Sequence, residues 1–194
     1  MQRYSMDQYE VLLIPEFVQA DKAHDLLERL TDELPWQQGH VRFFGREHPI
    51  PRRQCWVAEQ GLTYRYSGQT LLPHDWPAWL GPLAKQVSEH AGEAFNSVLC
   101  NQYRHGQDSM GWHSDDEPEL GPAPIIASYS LGETRRFQFR HRNDHSRKLT
   151  LELTHNSLLI MPAGLQSHWQ HQLPKTRKPK NTRINLTFRR VVPG

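Results

Sequence analysis

The sequence predicts a mainly β protein with flanking helices: a sandwich or barrel with its helices packed on one face. Three observations carry this prediction. Apolar residues recur at helical spacing in two stretches, both in the first half of the chain. From Phe95 onward they alternate with polar residues at a period of two, the repeat of a half-buried strand. The alternating stretches are short and follow one another after the two helices, the pattern of sheets that close over a core with helices to one side.

In chain order, Val11 to Ile14 form a short apolar strand stopped at Pro15. A helix follows from about Asp21, a residue type that caps helices, with Ala23, Leu26, Leu27 and Leu30 on one face. It ends before Pro35, and Trp36 seals its base. Residues 40–70 differ in character: prolines, glycines and arginines are interleaved with aromatics, which predicts hairpins and exposed loops. Of the neighbouring Phe43 and Phe44, Phe43 is assigned to burial. A second helix is expected between Asp75 and Ala91, with Pro77 in its first turn and Pro82 kinking it or marking a restart. Leu80, Leu83, Val87 and Ala91 form its apolar stripe. Strands are then expected at Ser97 to Tyr103, Ile125 to Leu131, Arg136 to Arg140, Leu149 to Leu153, Ser157 to Met161 and Arg183 to Arg189. In the first of these, Leu99, Asn101 and Tyr103 share a face.

Composition excludes several classes. The 194 residues allow one domain with a full-sized core. With 37% hydrophobic residues and a mean hydropathy of −0.75, a soluble protein is expected, and no apolar run approaches a membrane span. The first residues lack the apolar core of a signal peptide. Cys55 and Cys100 make neither a metal-ligand spacing nor a disulfide framework, which favours a reducing, intracellular setting, cytoplasmic in a bacterium or nuclear in a eukaryote. The net charge of +2 is too mild to announce nucleic-acid binding. Basic residues do cluster, at Arg46, Arg52 and Arg53, from Arg135 to Arg147, and from Lys175 to Lys180. Clusters of this kind can line a phosphate backbone, although solvated loops are the commoner reading.

Two stretches carry chemistry. Trp112 to Glu117 sets His113 and Asp115 two residues apart, so in an extended backbone both point to one side. With one further His they make a facial triad that holds Fe(II) and leaves positions open. That third ligand is His171 or His168, on the same loop; His155 reads as a turn residue. In the last strand Ile184, Leu186 and Phe188 share one face, and Arg183, Asn185, Thr187 and Arg189 the other. Such a polar row is costly in a core unless an anion sits against it. With Asn101 and Tyr103 it offers a guanidinium fork, an amide and a phenol, the groups that hold a small dicarboxylate.

These residues together resemble the AlkB family of Fe(II)/2-oxoglutarate dioxygenases. The resemblance rests on Asn101-x-Tyr103, His113-x-Asp115-Asp116-Glu117, Ile126-Ala127-Ser128-x-Ser130-Leu131-Gly132, the run from Arg136 to Arg140, and Arg183-x-Asn185-Leu186-Thr187-Phe188-Arg189, in family order. Phe44-Gly45, Pro51-Arg52-x-Gln54 and Thr63-Tyr64-x-Tyr66-Ser67-Gly68 resemble specifically the DNA-repair members acting on duplex DNA.

The resemblance implies a double-stranded β-helix, a jelly-roll variant, with a nucleotide-recognition region of hairpins at about 40–70 and a catalytic core at about 95–190. It implies His113, Asp115 and His171 as iron ligands. Arg183 would pair with the distal carboxylate of 2-oxoglutarate, Asn101 and Tyr103 would hydrogen-bond this co-substrate, and Asn185 and Arg189 would support its chelating end. The implied activity uses O2 to demethylate 1-methyladenine- and 3-methylcytosine-type bases in DNA, releasing formaldehyde, succinate and CO2. RNA or protein substrates, or a binding module without activity, are the alternatives. The damaged base leaves the stack. Tyr66 and His113 would sandwich it, with Tyr64 and Ser67 nearby; Asp116 and Glu117 would accept from its exocyclic amine. Phe44 would fill the vacated stack, supported by Arg52 and Gln54. The run from Lys175 to Lys180 would bind phosphate. The protein is expected to work as a monomer, away from membranes.

Overall fold

A computed structural model describes residues 1–43, 45–66 and 69–192. The first half of the chain runs β1 (Gln2–Met6), β2 (Tyr9–Ile14), α1 (Ala20–Glu33), β3 (Gln37–Phe43), β4 (Arg46–Ala58), β5 (Tyr64–Tyr66), β6 (Gln69–Leu71) and α2 (Gly81–Ala91). The second half is almost all strand: β7 (Ser97–Tyr103), β8 (Met110–His113), β9 (Ile126–Gly132), β10 (Arg135–His141), β11 (Lys148–Leu153) and β12 (Ser157–Met161). A single helical turn, α3 (Leu165–His168), then leads to β13 (Trp169–Leu173) and β14 (Arg183–Arg189).

The strands form an eight-stranded antiparallel sheet in the order β1-β2-β12-β9-β14-β7-β4-β3 and a four-stranded one in the order β11-β10-β13-β8, while β5 and β6 pair as a separate hairpin. The inner faces of the two sheets meet over one apolar core that includes Leu99, Phe137, Phe139, Leu153, Leu159, Trp169 and Leu173. The outer face of the larger sheet buries Val98, Tyr129, Ile184, Leu186 and Phe188 under Leu26 and Leu30 of α1 and Leu83 and Val87 of α2. Each such side chain contributes about 1.5–3 kcal/mol on leaving water. The predicted layering of helices on one side of a closed β core is therefore realised.

The helix starts differ from expectation. Helix α1 begins at Ala20 with Gln19 at its N-cap, and Asp21 sits in the first turn, where its charge favours the helix dipole but caps nothing. Helix α2 begins at Gly81, not near Asp75. Pro77 instead accepts a hydrogen bond from Leu80 N in the preceding turn (2.9 Å), and Pro82 occupies the first turn, where its missing N–H breaks no helical bond. The helix therefore starts at this proline and is not kinked by it. Gly92, at φ 67°, closes α2 in the left-handed conformation. Strands β1, β8 and β13 were not expected. In β13 the apolar positions are filled by Trp169, His171 and Leu173, buried and alternating with two partly exposed glutamines, so a histidine takes a core position.

Strand β14 is central, paired with β7 on one side and β9 on the other, and all seven of its residues are buried. Because directly paired residues point to the same side, register carries a polar stripe across the inner face: Gln54 lies opposite Asn101, Asn101 opposite Asn185, and Asn185 opposite Ser130. The buried polar row expected from the last strand thus faces the other sheet, while its apolar row faces the helices.

Candidate metal and co-substrate site

Strand β8 ends at His113, and Asp115 follows on the loop that leaves it. This loop is fixed to the neighbouring segment: Ser114 Oγ donates to Trp169 O (3.1 Å), and the Asp115 backbone N–H donates to Gln166 Oε1 (3.1 Å). His171 is the direct cross-strand partner of His113, with ring centroids 4.2 Å apart. One ligand atom from each of His113, Asp115 and His171 lies within 4.8 Å of the others. His168 is placed elsewhere; its Nδ1 meets the Tyr9 hydroxyl at 2.8 Å.

The protonation pattern suits a cation. His113 Nδ1 lies 2.8 Å from Gly111 O, and a carbonyl only accepts, so Nδ1 carries the proton and Nε2 is left for a ligand bond. Burial, reinforced by the charge of His113, pushes His171 down to about 3, so it is neutral at physiological pH. Burial alone would raise Asp115. The Arg189 guanidinium, donating to Asp115 Oδ1 at 2.6 Å, overrides this together with both histidines and holds the carboxylate at about 2. Asp115 Oδ2 and His171 Nδ1 are buried without a hydrogen-bond partner. Two neutral imidazoles and one ionised carboxylate on one side of a cavity form the donor set of an open, three-ligand transition-metal site.

The same cavity is lined by Asn101, Tyr103, Arg183, Asn185 and Arg189. Arg183 is 2% exposed; its terminal nitrogen donates to Ser130 Oγ (2.9 Å), its Nε has no partner, and its guanidinium lies 5.4 Å from the centre of the Tyr103 ring. Among the described residues it makes no ion pair, and burial lowers its pKa to about 10. A buried, unneutralised guanidinium is expensive. It fits the distal carboxylate of a dicarboxylic acid, as the orphaned Asp115 Oδ2, 3.7 Å from His171 Nε2, fits a metal. Asn101 Oδ1 accepts from Arg52 Nε (3.0 Å), and Asn185 Nδ2 donates to Ser128 Oγ (2.8 Å), so both amides are held in position. Sequence reasoning did not identify the roles of Ser128 and Ser130. Their signal was two small hydroxyls at period two on an otherwise apolar strand. Phe137, Met110 and Leu173 also line the cavity, and Phe137 stacks on His171 at 5.2 Å.

The residues assigned to the base and its surroundings separate into three groups. Phe44 and Ser67 lie outside the described residues, as do the side chains of Phe43 and Tyr66. Arg52, Gln54 and Tyr64 are buried. Arg52, expected to support the wedge, donates to Asn101 and to Ser109 O (3.4 Å). Tyr64 packs on Trp56 with ring centroids 5.6 Å apart and lies beside Glu117, whose carboxyl is raised by burial. Asp116 pairs with Arg142 at 3.0 Å on the surface. In the basic loop Lys180 pairs with Glu133 (2.8 Å), while Lys175 and Lys178 line a cleft with Arg135 and Arg136.

Fold and site together define an iron-dependent oxygenase of the jelly-roll type that takes a 2-oxo dicarboxylic acid as co-substrate. Residues 10–189 match the model of the 2OG-Fe(II) oxygenase superfamily, and the chain belongs to that superfamily and, within it, to the AlkB family. Its cofactors are accordingly Fe(II), 2-oxoglutarate and O2. The rat alpha-ketoglutarate-dependent dioxygenase alkB homolog 3 is 42% identical over 195 residues, covering 94% of this chain and 64% of the relative. The human homolog 3 is 41% identical over 192 residues, covering 94% and 66%. The mouse DNA oxidative demethylase ALKBH2 is 39% identical over 182 residues, covering 90% and 76%. This chain thus spans about two thirds of the length of the homolog 3 relatives. The solved structure of OsALKBH1 shares the fold, with a TM-score of 0.69 at 17% identity, covering 97% of this chain and 100% of that one.

Proposed function

We propose that the chain demethylates N-alkylated bases of the 1-methyladenine and 3-methylcytosine type in DNA, as an oxidative demethylase acting as a monomer. The observation that carries this reading is the meeting, in one cavity, of the His113, Asp115 and His171 donors with an Arg183 that lacks a protein carboxylate. The name of the mouse relative at 39% identity, DNA oxidative demethylase ALKBH2, supports DNA as the substrate.

In this reading His113, Asp115 and His171 hold the iron. Arg183 grips the distal carboxylate of 2-oxoglutarate, Asn101 and Tyr103 hydrogen-bond the acid, and Asn185 and Arg189 support its chelating end. Bound Fe(II), with 2-oxoglutarate and O2, supplies the oxidation of the methyl C–H bond, and 2-oxoglutarate leaves as succinate and CO2. One oxygen atom ends on the methyl carbon and the other in succinate. The resulting N–CH2OH group releases formaldehyde and the repaired base. The protein residues orient the acid, keep the cavity dry and present the base. Tyr66 and His113 flank the base, with Tyr64 and Ser67 nearby; Glu117 and Asp116 accept from the exocyclic amine, which favours adenine and cytosine adducts. Phe44 fills the gap left by the extruded base, supported by Arg52 and Gln54, and the Lys175 to Lys180 loop meets phosphate. The chain is read as one domain, with 40–70 recognising the nucleotide and 95–190 forming the catalytic core.

Turnover of a methylated oligonucleotide with Fe(II) and 2-oxoglutarate tests this. Formaldehyde release and lesion loss are expected, and His113→Ala should abolish both along with iron retention on dialysis. A normal rate in that variant would refute the ligand assignment. Running the same lesion in duplex DNA, single-stranded DNA and RNA separates the DNA reading from the RNA alternative.

A further inference from the structure

A second buried guanidinium lines the neighbouring cleft beneath the basic loop. Arg135, at the start of β10, is 2% exposed. Its nitrogens donate to three backbone carbonyls: His105 O (3.2 Å), Asp108 O (2.9 Å) and Pro174 O (2.8 Å). Those carbonyls belong to the loop after β7 and to the start of the basic loop before β14. The two nearby carboxylates are already taken. Asp108 is held by Arg104 through bonds of 2.7 and 3.0 Å. Glu133 is held by Lys180 at 2.8 Å and by the Asn181 N–H at 3.2 Å. Arg135 is thus fixed by neutral acceptors and makes no direct bond to either carboxylate, whose fields only partly offset the burial of its charge.

The chain brings this charge close to Arg183. Gly132, three residues before Arg135, is the register partner of Arg183. Glu133 N donates to Thr182 O at 3.0 Å. A Cβ on Gly132 would come within 2.4 Å of that same carbonyl, so the backbones are in close contact. Both guanidinia interact with Tyr103, and the field of Arg135 adds to burial in lowering Arg183.

We propose that Arg135 is a specificity-determining residue for the co-substrate: from the adjoining cleft it adds a second positive charge near Arg183 that selects a 2-oxo acid bearing a distal carboxylate. Its three carbonyl bonds set that charge in place, and it need not touch the acid. The inference rests on the reading of Arg183 as the partner of that carboxylate.

The test compares two ligands that share a chelating head. Under anaerobic conditions, 2-oxoglutarate and 2-oxopentanoate, which ends in a methyl group, are titrated into the Fe(II)-loaded chain, and binding is followed by the metal-to-ligand charge-transfer absorption. Wild type should bind 2-oxoglutarate much more tightly. Arg135→Gln should weaken 2-oxoglutarate by about tenfold, the size of one screened charge interaction in a partly buried site, and leave 2-oxopentanoate unchanged. Arg135→Lys, which keeps the charge but not the fork, should retain the preference. Equal weakening of both ligands in Arg135→Gln would reduce Arg135 to a loop clamp, and no weakening of either would also overturn the proposal. If Arg135→Gln does not fold, Arg135→Lys decides alone, and loss of the preference there refutes it. A wild type without any preference would instead sink the reading of Arg183.

Discussion

Replacing Arg183 with methionine should stabilise the ligand-free chain while destroying its response to 2-oxoglutarate. Burial lowers Arg183 from 12.5 to about 10, which corresponds to about 3 kcal/mol lost by the folded state in keeping the charge. Methionine fills similar volume without charge. It forfeits the bond to Ser130 Oγ at 2.9 Å, worth about 1.5–3 kcal/mol for a charged donor. The difference leaves Arg183→Met more stable by about 1 kcal/mol, or about 3 °C in melting temperature for a chain of this size. Adding 2-oxoglutarate at a hundred times its dissociation constant stabilises wild type by about 2.7 kcal/mol and the variant not at all, so the order of stability inverts. Thermal melts of the Mn(II)-loaded proteins, with and without 2-oxoglutarate, measure both effects. A variant less stable than wild type without ligand would mean that the Arg183 charge is already compensated within the protein. Equal stabilisation of both proteins by 2-oxoglutarate would remove Arg183 from the co-substrate site.

Acid should destabilise the metal-free chain in two stages. The unfolded chain protonates histidine near 6.5 while folded His171 stays neutral down to about 3, and Asp115, at 3.8 when unfolded, stays ionised to about 2. In both windows the unfolded state binds more protons, so stability falls as pH falls; urea melts at pH 7, 5 and 4 should show it, with His171→Asn flattening the first stage. Gly132→Ala forces a Cβ within 2.4 Å of Thr182 O at φ 82°, which should lower stability by at least about 1–3 kcal/mol; a neutral result in chemical denaturation would contradict the close packing of β9 and β14. Phe44→Ala should slow repair in duplex DNA more than in single strands, where no stack needs filling, and equal effects on turnover of the two substrates would count against a wedge.

Much of the architecture was legible from short-range pattern. Period-two alternation located most of the strands of the second half, and the two faces of β14 were separable because a strand alternates strictly. Helix starts were misjudged because Asp21 and Pro77 are permissive signals that several positions satisfy, and the winning position was set by packing against the sheet. Strand β13 escaped notice because its middle core position holds a histidine flanked by glutamines, polar residues that give no apolar alternation.

By itself, then, the sequence determined the β-rich class, the polar inner row of the last strand and the pairing of His113 with Asp115, all properties of residues within a few positions of one another. The family resemblance pointed to His171 as the third ligand, but residue pattern left it open against His168, and the tertiary structure set His171 opposite His113 by pairing β8 with β13 across 58 residues. It also decided that Arg52 turns inward to Asn101, and that the charge of Arg135 reaches Arg183. The physical reason is the same in each case. Periodicity is local, whereas the balance of a buried charge depends on every group the fold brings to it, including those from distant parts of the chain.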